Sequence, residues 1–241
     1  MHLRLKKVAI FLFTVVLLPA YAGDMGPVTY KKEQGFYVVG LATYNAFNFN
    51  RAETASFFSP NAITPPAASI GDHWGYSFGV GYRFNPFFRT DFRVQGLSDI
   101  PFSVTDDGNE TAHGRVDTYT YMINGYFSYP LPMNHRIEPY LGGGLGAANS
   151  KTNTIYWPLA VQHESGLTTT RFAWQVGAGS LYRVTEHFDI DISYSYLAIG
   201  QTSNSGQYDV IASNGVPASG APTRFLRVYS NQLSFGLNYR V

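Results

Sequence analysis

Between residue 35 and the last residue, the sequence keeps returning to one pattern: an apolar or aromatic side chain at every second position, with small or polar residues between. Successive side chains of a β-strand point to opposite faces, so this spacing writes a strand with one oily face and one polar face. The last segment, 229–241, is the clearest. Tyr229, Leu233, Phe235, Leu237, Tyr239 and Val241 share one face, and Gln232, Ser234, Gly236, Asn238 and Arg240 share the other. Six upstream segments repeat it: 73–84, 87–96, 116–129, 136–147, 171–183 and 187–198. An eighth, 35–46, is apolar on both faces, and its Tyr37, Val39 and Leu41 are assigned to the outer face.

Connections between these segments alternate in length. Asn85-Pro86, Pro130 to His135 and Val184 to Glu186 are short; about 48–72, 97–115, 148–170 and 199–227 are long and rich in Ser, Thr, Asn, Gly and Pro. Apolar-out, polar-in strands joined by turns alternately short and long are the pattern of a transmembrane β-barrel. A soluble barrel or sandwich would turn the other face to water, and here that face is dominated by glycine and small residues, which suits a narrow lumen. The expected fold is therefore all-β, an eight-stranded antiparallel up-and-down barrel in the bacterial outer membrane. Short turns belong to the periplasm, which places both termini there.

Composition agrees. Only 14% of residues are charged, while 16% are aromatic, including 18 Tyr and 18 Phe. Such a surface suits lipid and headgroups better than water. The absence of Cys excludes disulfides and a cysteine-linked lipid anchor. Residues 1–22 read as a cleaved export signal: Arg4, Lys6 and Lys7, then apolar Val8 to Leu18, then Pro19-Ala20-Tyr21-Ala22. The barrel domain is then 23–241. The signal holds three of the 17 basic residues, leaving 14 against 16 acidic, a net of −2. No basic run points to nucleic acid.

On the polar faces, alternation directs Arg83, Arg89, Arg93, Arg136, Arg171, Arg183 and Arg240 into the lumen, together with Asp91, Glu138, Asp189 and Asp191. A small barrel fills its interior with side chains, so these groups are expected to pair as a plug. The glycine-rich stretches 75–81, 142–146 and 177–179 are expected to leave room for the arginines. The alternative is a narrow, anion-favouring, porin-like pathway for ions or small solutes. No metal or cofactor site can be read. The histidines lack metal-ligand spacing. The pairs Asp72-His73 and His163-Glu164 would be the candidates for a lipid A-modifying enzyme, yet neighbours on a strand face opposite ways. No catalytic constellation results.

Several stretches also resemble a known family: Glu138-Pro139-Tyr140-Leu141-Gly142-Gly143-Gly144-Leu145-Gly146, Phe172 to Gly179, Asp189 to Tyr196, and the ending Ser234 to Val241. They resemble opacity-family, porin-like outer-membrane proteins, eight-stranded barrels of the OmpA-like kind, over the whole mature chain. The resemblance implies a surface antigen or adhesin without shared catalytic residues. It also implies delivery by the outer-membrane assembly machinery, although Val241 stands where that family usually has Phe. The barrel would be an anchor among lipid and lipopolysaccharide. Its four external loops would serve adhesion or recognition of a host or surface ligand, with Phe57, Phe58, Ile155, Tyr156, Trp157 and Leu159 as contact candidates.

Overall fold

A computed structural model describes residues 34–49, 67–105, 111–131, 136–157, 162–164, 166–203, 207–211, 217–219 and 224–241. The export signal of 1–22 lies outside them, as do Phe57, Phe58 and Leu159. Eight long strands run through the described residues: β1 (Gly35–Phe49), β2 (His73–Arg83), β3 (Phe88–Thr105), β4 (Thr111–Ser128), β5 (Ile137–Thr152), β6 (Thr168–Arg183), β7 (Phe188–Ser203) and β8 (Arg224–Arg240). Each pairs antiparallel with the next, and β8 pairs with β1 from Tyr37↔Arg240 to Phe49↔Val228. The sheet is thus a closed eight-stranded antiparallel barrel. Closure gives every strand two hydrogen-bonded neighbours, the condition for crossing hydrocarbon.

The outer face is apolar at mid-height. Phe78, Val80, Phe92, Ile123, Leu141, Leu145, Val176, Ile192, Phe235 and Leu237 are all exposed. Aromatic rings collect at both ends. Toward the long connections lie the Tyr44–Trp74, Trp174–Tyr196 and Tyr196–Tyr229 contacts; toward the short turns lie Phe36–Tyr82, Phe84–Phe88 and Phe188–Tyr239. Two girdles of amphipathic or bulky rings around an oily belt match the two interfaces of a bilayer.

The first strand is the opposite way round from the sequence expectation. Tyr37, Val39 and Leu41 are 4%, 3% and 5% exposed and point into the lumen, whereas Phe36 and Val38 are 66% and 44% exposed. The reason lies on the neighbouring strand. Tyr37 pairs with Gly81 and Val39 with Gly79, so the bulky inward side chains of β1 occupy space that glycines vacate on β2.

The long connection expected at 97–115 is mostly strand. β3 and β4 stay paired as far as Thr105↔Thr111, interrupted by one irregularity between Leu97 and Ile100. There Asp99 takes φ 65°, and its N–H donates to the Asp117 carboxylate at 2.6 Å. This hairpin rises beyond the membrane belt and gathers the other long connections. Ala67–Ile70 pairs along Phe102–Thr105 on one edge, and Ile155–Trp157 joins the other through His113↔Tyr156. The short turns are compact. Asn85 Oδ1 accepts from the N–H groups of Phe87 and Phe88, both at 2.8 Å, which sets the bend of the first.

The face assignment carries a testable consequence. Phe235→Arg should lower the fraction of heat-resistant, compact protein on unboiled gels, because Arg near mid-bilayer costs about 2–4 kcal/mol. Ser234→Arg, one residue away and facing the polar interior, should be markedly better tolerated. Equal loss at both sites would contradict the register.

Candidate functional site: the lumen and the long-connection end

The lumen is layered along the barrel axis. At the short-turn mouth, Arg83 meets Glu138 at 2.8 Å, and Asp189 accepts from Arg240 at 2.6 Å with Arg183 at 3.9 Å. Arg83, Arg183, Asp189 and Arg240 line a mouth cavity of about 400 Å³ together with Tyr37, Arg89, His187 and Asn238. The pairing is local in space but not in sequence, since each pair joins different strands.

One level deeper sits Arg89, 1% exposed. Its guanidinium lies 4.2 Å from the Tyr126 ring centre and 4.5 Å from that of Tyr140, with the Tyr37 hydroxyl 3.5 Å from Nη1. Aromatic faces attract such a cation, more strongly where water is excluded. The three tyrosines stand where three glycines make room: a Cβ on Gly81 would strike Tyr37, one on Gly142 would strike Tyr126, and one on Gly179 would strike Tyr140. The glycine stretches therefore accommodate tyrosine rings, not the long arginines the sequence suggested.

Asp91 is the hub of this level. It accepts from Arg93 at 2.7 Å, Asn124 at 2.7 Å, Tyr37 at 3.3 Å and Tyr126 at 3.4 Å. Asp191 is satisfied differently, by the Tyr140 hydroxyl at 2.6 Å and Asn238 at 3.1 Å. So Asp91, Glu138 and Asp189 are ion-paired, whereas Asp191 takes neutral donors. Arg136 and Arg171 follow the inward parity but sit exposed at opposite ends of the barrel.

Above this, a neutral layer takes over. Thr43 meets Ser234 at 3.0 Å, and the Asn45 side-chain oxygen accepts from Gln232 at 2.7 Å and Ser230 at 3.1 Å. A polar cavity of about 40 Å³ between Arg93, Gln95, Gln175 and Ser195 has room for a few water molecules.

The next layer was not anticipated. Phe47, Leu97, Ile100, Met122, Ala148, Ala173, Leu197, Ile199 and Val228 form one buried apolar cluster across the lumen. Seven strands supply side chains, and β2 contributes Gly75, where a Cβ would meet Leu97 Cδ2 at 2.5 Å. A signal existed: Phe47 continues the inward series Thr43, Asn45, and Leu97 and Leu197 follow Gln95 and Ser195. The polar face turns apolar at one height on several strands.

Of the loop candidates, Tyr156 and Trp157 lie in a short strand whose backbone pairs Tyr156 with His163 and Trp157 with Gln162. Asp72 accepts from the Tyr44 hydroxyl at 3.0 Å, an arrangement that ties a loop to the aromatic girdle. Among the described residues, no group of three His, Cys, Asp or Glu side chains could hold a metal.

With this geometry in place, comparison with known proteins is decisive for the family. The outer membrane protein beta-barrel domain matches residues 8–240. The chain belongs to this family. It is an outer-membrane β-barrel protein. Outer membrane protein PagN of Salmonella typhimurium is 28% identical over 248 residues, covering 94% of this chain and 98% of PagN. Among solved structures, OprG of Pseudomonas aeruginosa superposes with TM-score 0.55 at 13% identity, covering 87% of this chain and 98% of OprG. Neisserial surface protein A gives 0.51 at 16% identity, over 86% and 97%. The two structures share the barrel fold with this chain.

The mouth network predicts a stability effect. Asp189→Ala removes the carboxylate that Arg240 and Arg183 share. Removing one partner of a fully buried pair costs about 3–5 kcal/mol; with Arg240 and Arg183 18% and 29% exposed, about 1–3 kcal/mol is expected. The temperature at which the gel shift appears should fall accordingly, and an unchanged temperature would show that the pair contributes nothing.

Proposed function

We propose that this chain is a surface protein whose barrel is an anchor and whose long connections, on the cell exterior, carry out adhesion or recognition of a host or surface ligand. The observation that carries this reading is the occluded lumen. Ion pairs, a tyrosine-clamped arginine and an apolar layer block the interior between the mouths, so activity falls to what projects from the rim. What projects is built structure: the β3–β4 hairpin, with Ala67–Ile70 and Ile155–Trp157 added at its edges, held on a rigid scaffold. In this reading the aromatic girdle beneath it meets lipopolysaccharide and lipid, the short turns and both termini are periplasmic, and residues 1–22 are removed on export. Insertion would depend on the outer-membrane assembly machinery. In this reading the chain acts by binding; the carboxylate of Asp72, beside His73, accepts from the Tyr44 hydroxyl and ties the loop to the girdle.

Two measurements test it. Protease added to intact cells should cut near 50–70, 150–170 or 200–225 and spare Asn85-Pro86; cutting at the short turns would reverse the topology. Cells displaying the protein should adhere to host cells or matrix, and replacing residues 98–117 with a two-residue turn should abolish adhesion while the heat-dependent gel shift persists. Adhesion undiminished by that replacement, or none in the parent, would remove the reading.

A further inference from the structure

We propose that the apolar layer, and not the ion-pair network beneath it, is the seal against ions in this barrel, so that the lumen is blind behind a mouth open to water at the short-turn end. The inference deepens the anchor reading by naming what makes the barrel closed.

Four observations carry it. The layer draws on seven strands, with Phe47 from β1, Leu97 and Ile100 from β3, Met122 from β4, Ala148 from β5, Ala173 from β6, Leu197 and Ile199 from β7, Val228 from β8, and Gly75 of β2 beneath Leu97; the buried hydroxyls of Thr118 and Ser230 stand in register beside Leu97 and Phe47. It is dry: none of its members is more than 6% exposed, and Leu97, Ala173 and Leu197 are 0% exposed, so water reaches them from neither side. Its members carry no side-chain group that could replace an ion's hydration shell, and the hydroxyls beside them are engaged within the protein, Thr118 with Ser150 and Ser230 with Asn45. An apolar constriction too narrow for hydrated ions blocks them by excluding water.

The fourth observation is the contrast on the other side. The short-turn half of the lumen holds the mouth cavity of about 400 Å³ and the polar cavity of about 40 Å³, lined by charged and amide side chains. Arg240 and Arg183 beside Asp189 remain 18% and 29% exposed there. Water therefore enters the mouth from that end; deeper in, Arg89, Asp91 and Asp191 are 1%, 2% and 0% exposed, but their charged and polar side chains can rearrange around an ion. The apolar side chains cannot.

The test uses the full chain in planar bilayers. Leu97→Asn combined with Met122→Gln keeps side-chain size but makes the layer polar. Asp189→Asn instead disrupts the mouth network and leaves the layer intact. The heat-dependent gel shift confirms a closed barrel in each sample. If the double variant does not give a shifting barrel, Leu97→Ser alone takes its place.

The expected result is background conductance for the parent and for Asp189→Asn, and steady conductance at least about tenfold above background for the layer variant. A shifting layer variant that stays silent would overturn the proposal. So would conductance from Asp189→Asn, or a steady conductance from the parent. The outcome is separable from the adhesion reading: loss of adhesion touches the rim alone, and a silent layer variant leaves adhesion untouched.

Discussion

A backbone that crosses hydrocarbon must satisfy every N–H and C=O within itself, and in this chain that requirement is met by one seam. β8 pairs with β1 over thirteen consecutive positions, from Tyr37↔Arg240 to Phe49↔Val228. Without that seam, two strand edges would face lipid. With it, the barrel is fixed at eight strands and the lumen at the width that side chains alone can fill. The interior chemistry follows from that width. Charges have little water, so Glu138, Asp91 and Asp189 find arginines, and Arg89, too far from their oxygens, is held between tyrosine faces.

Narrowness also explains the glycines. An eight-stranded lumen cannot hold a ring as large as Tyr37, Tyr126 or Tyr140 unless the neighbouring strand gives way. Gly81, Gly142 and Gly179 are those concessions. Their cost as flexible residues in a strand is offset by the packing of an aromatic ring across the gap. The composition of the inward face, small residues alternating with large polar ones, is thus a single fitted arrangement. Adding a methyl at any of the three glycines would drive a ring toward Arg89 and disturb the pairs around Asp91.

Legibility in the sequence tracks how strongly the two faces of a strand differ. In β3, Phe88, Phe92 and Val94 against Arg89, Asp91 and Arg93 leave one orientation, and the structure has it. In β1 both faces are apolar. Tyr37 and Val39 go inward because Gly81 and Gly79 stand beside them, and that fact belongs to the neighbouring strand. Pairing partners were legible in kind but not in detail. Whether Asp191 meets an arginine or Tyr140 depends on relative height in the barrel, which strand stagger sets and period-two alternation does not report. The hairpin beyond 97 escaped for a local reason. The irregularity at Asp99, with its left-handed backbone, breaks the alternation at the point where the strand leaves the membrane, and Pro101 and Gly114 make the rest read as loop.

The apolar layer escaped because of the rule that found the barrel. Reading inward positions as polar makes an inward Leu look like the end of a strand, so the sequence ends one strand at 96 and puts Leu97 in a loop, while Leu197, within 187–198, has no part in the expected polar face. In the structure they continue the inward series at the height where the aromatic girdle circles the outside, as at Trp174 and Tyr196. The barrel wall there has bulky rings outside and apolar side chains inside. The level is held from within by burial rather than by ion pairs, while rings such as Trp174, 39% exposed, stay open to the bilayer interface outside. Close-packed interiors transmit strain rather than absorb it. The β3–β4 hairpin rises directly from that level through Leu97 and Ile100, two members of the layer. The same side chains that close the lumen therefore fix the base of the hairpin that extends beyond it.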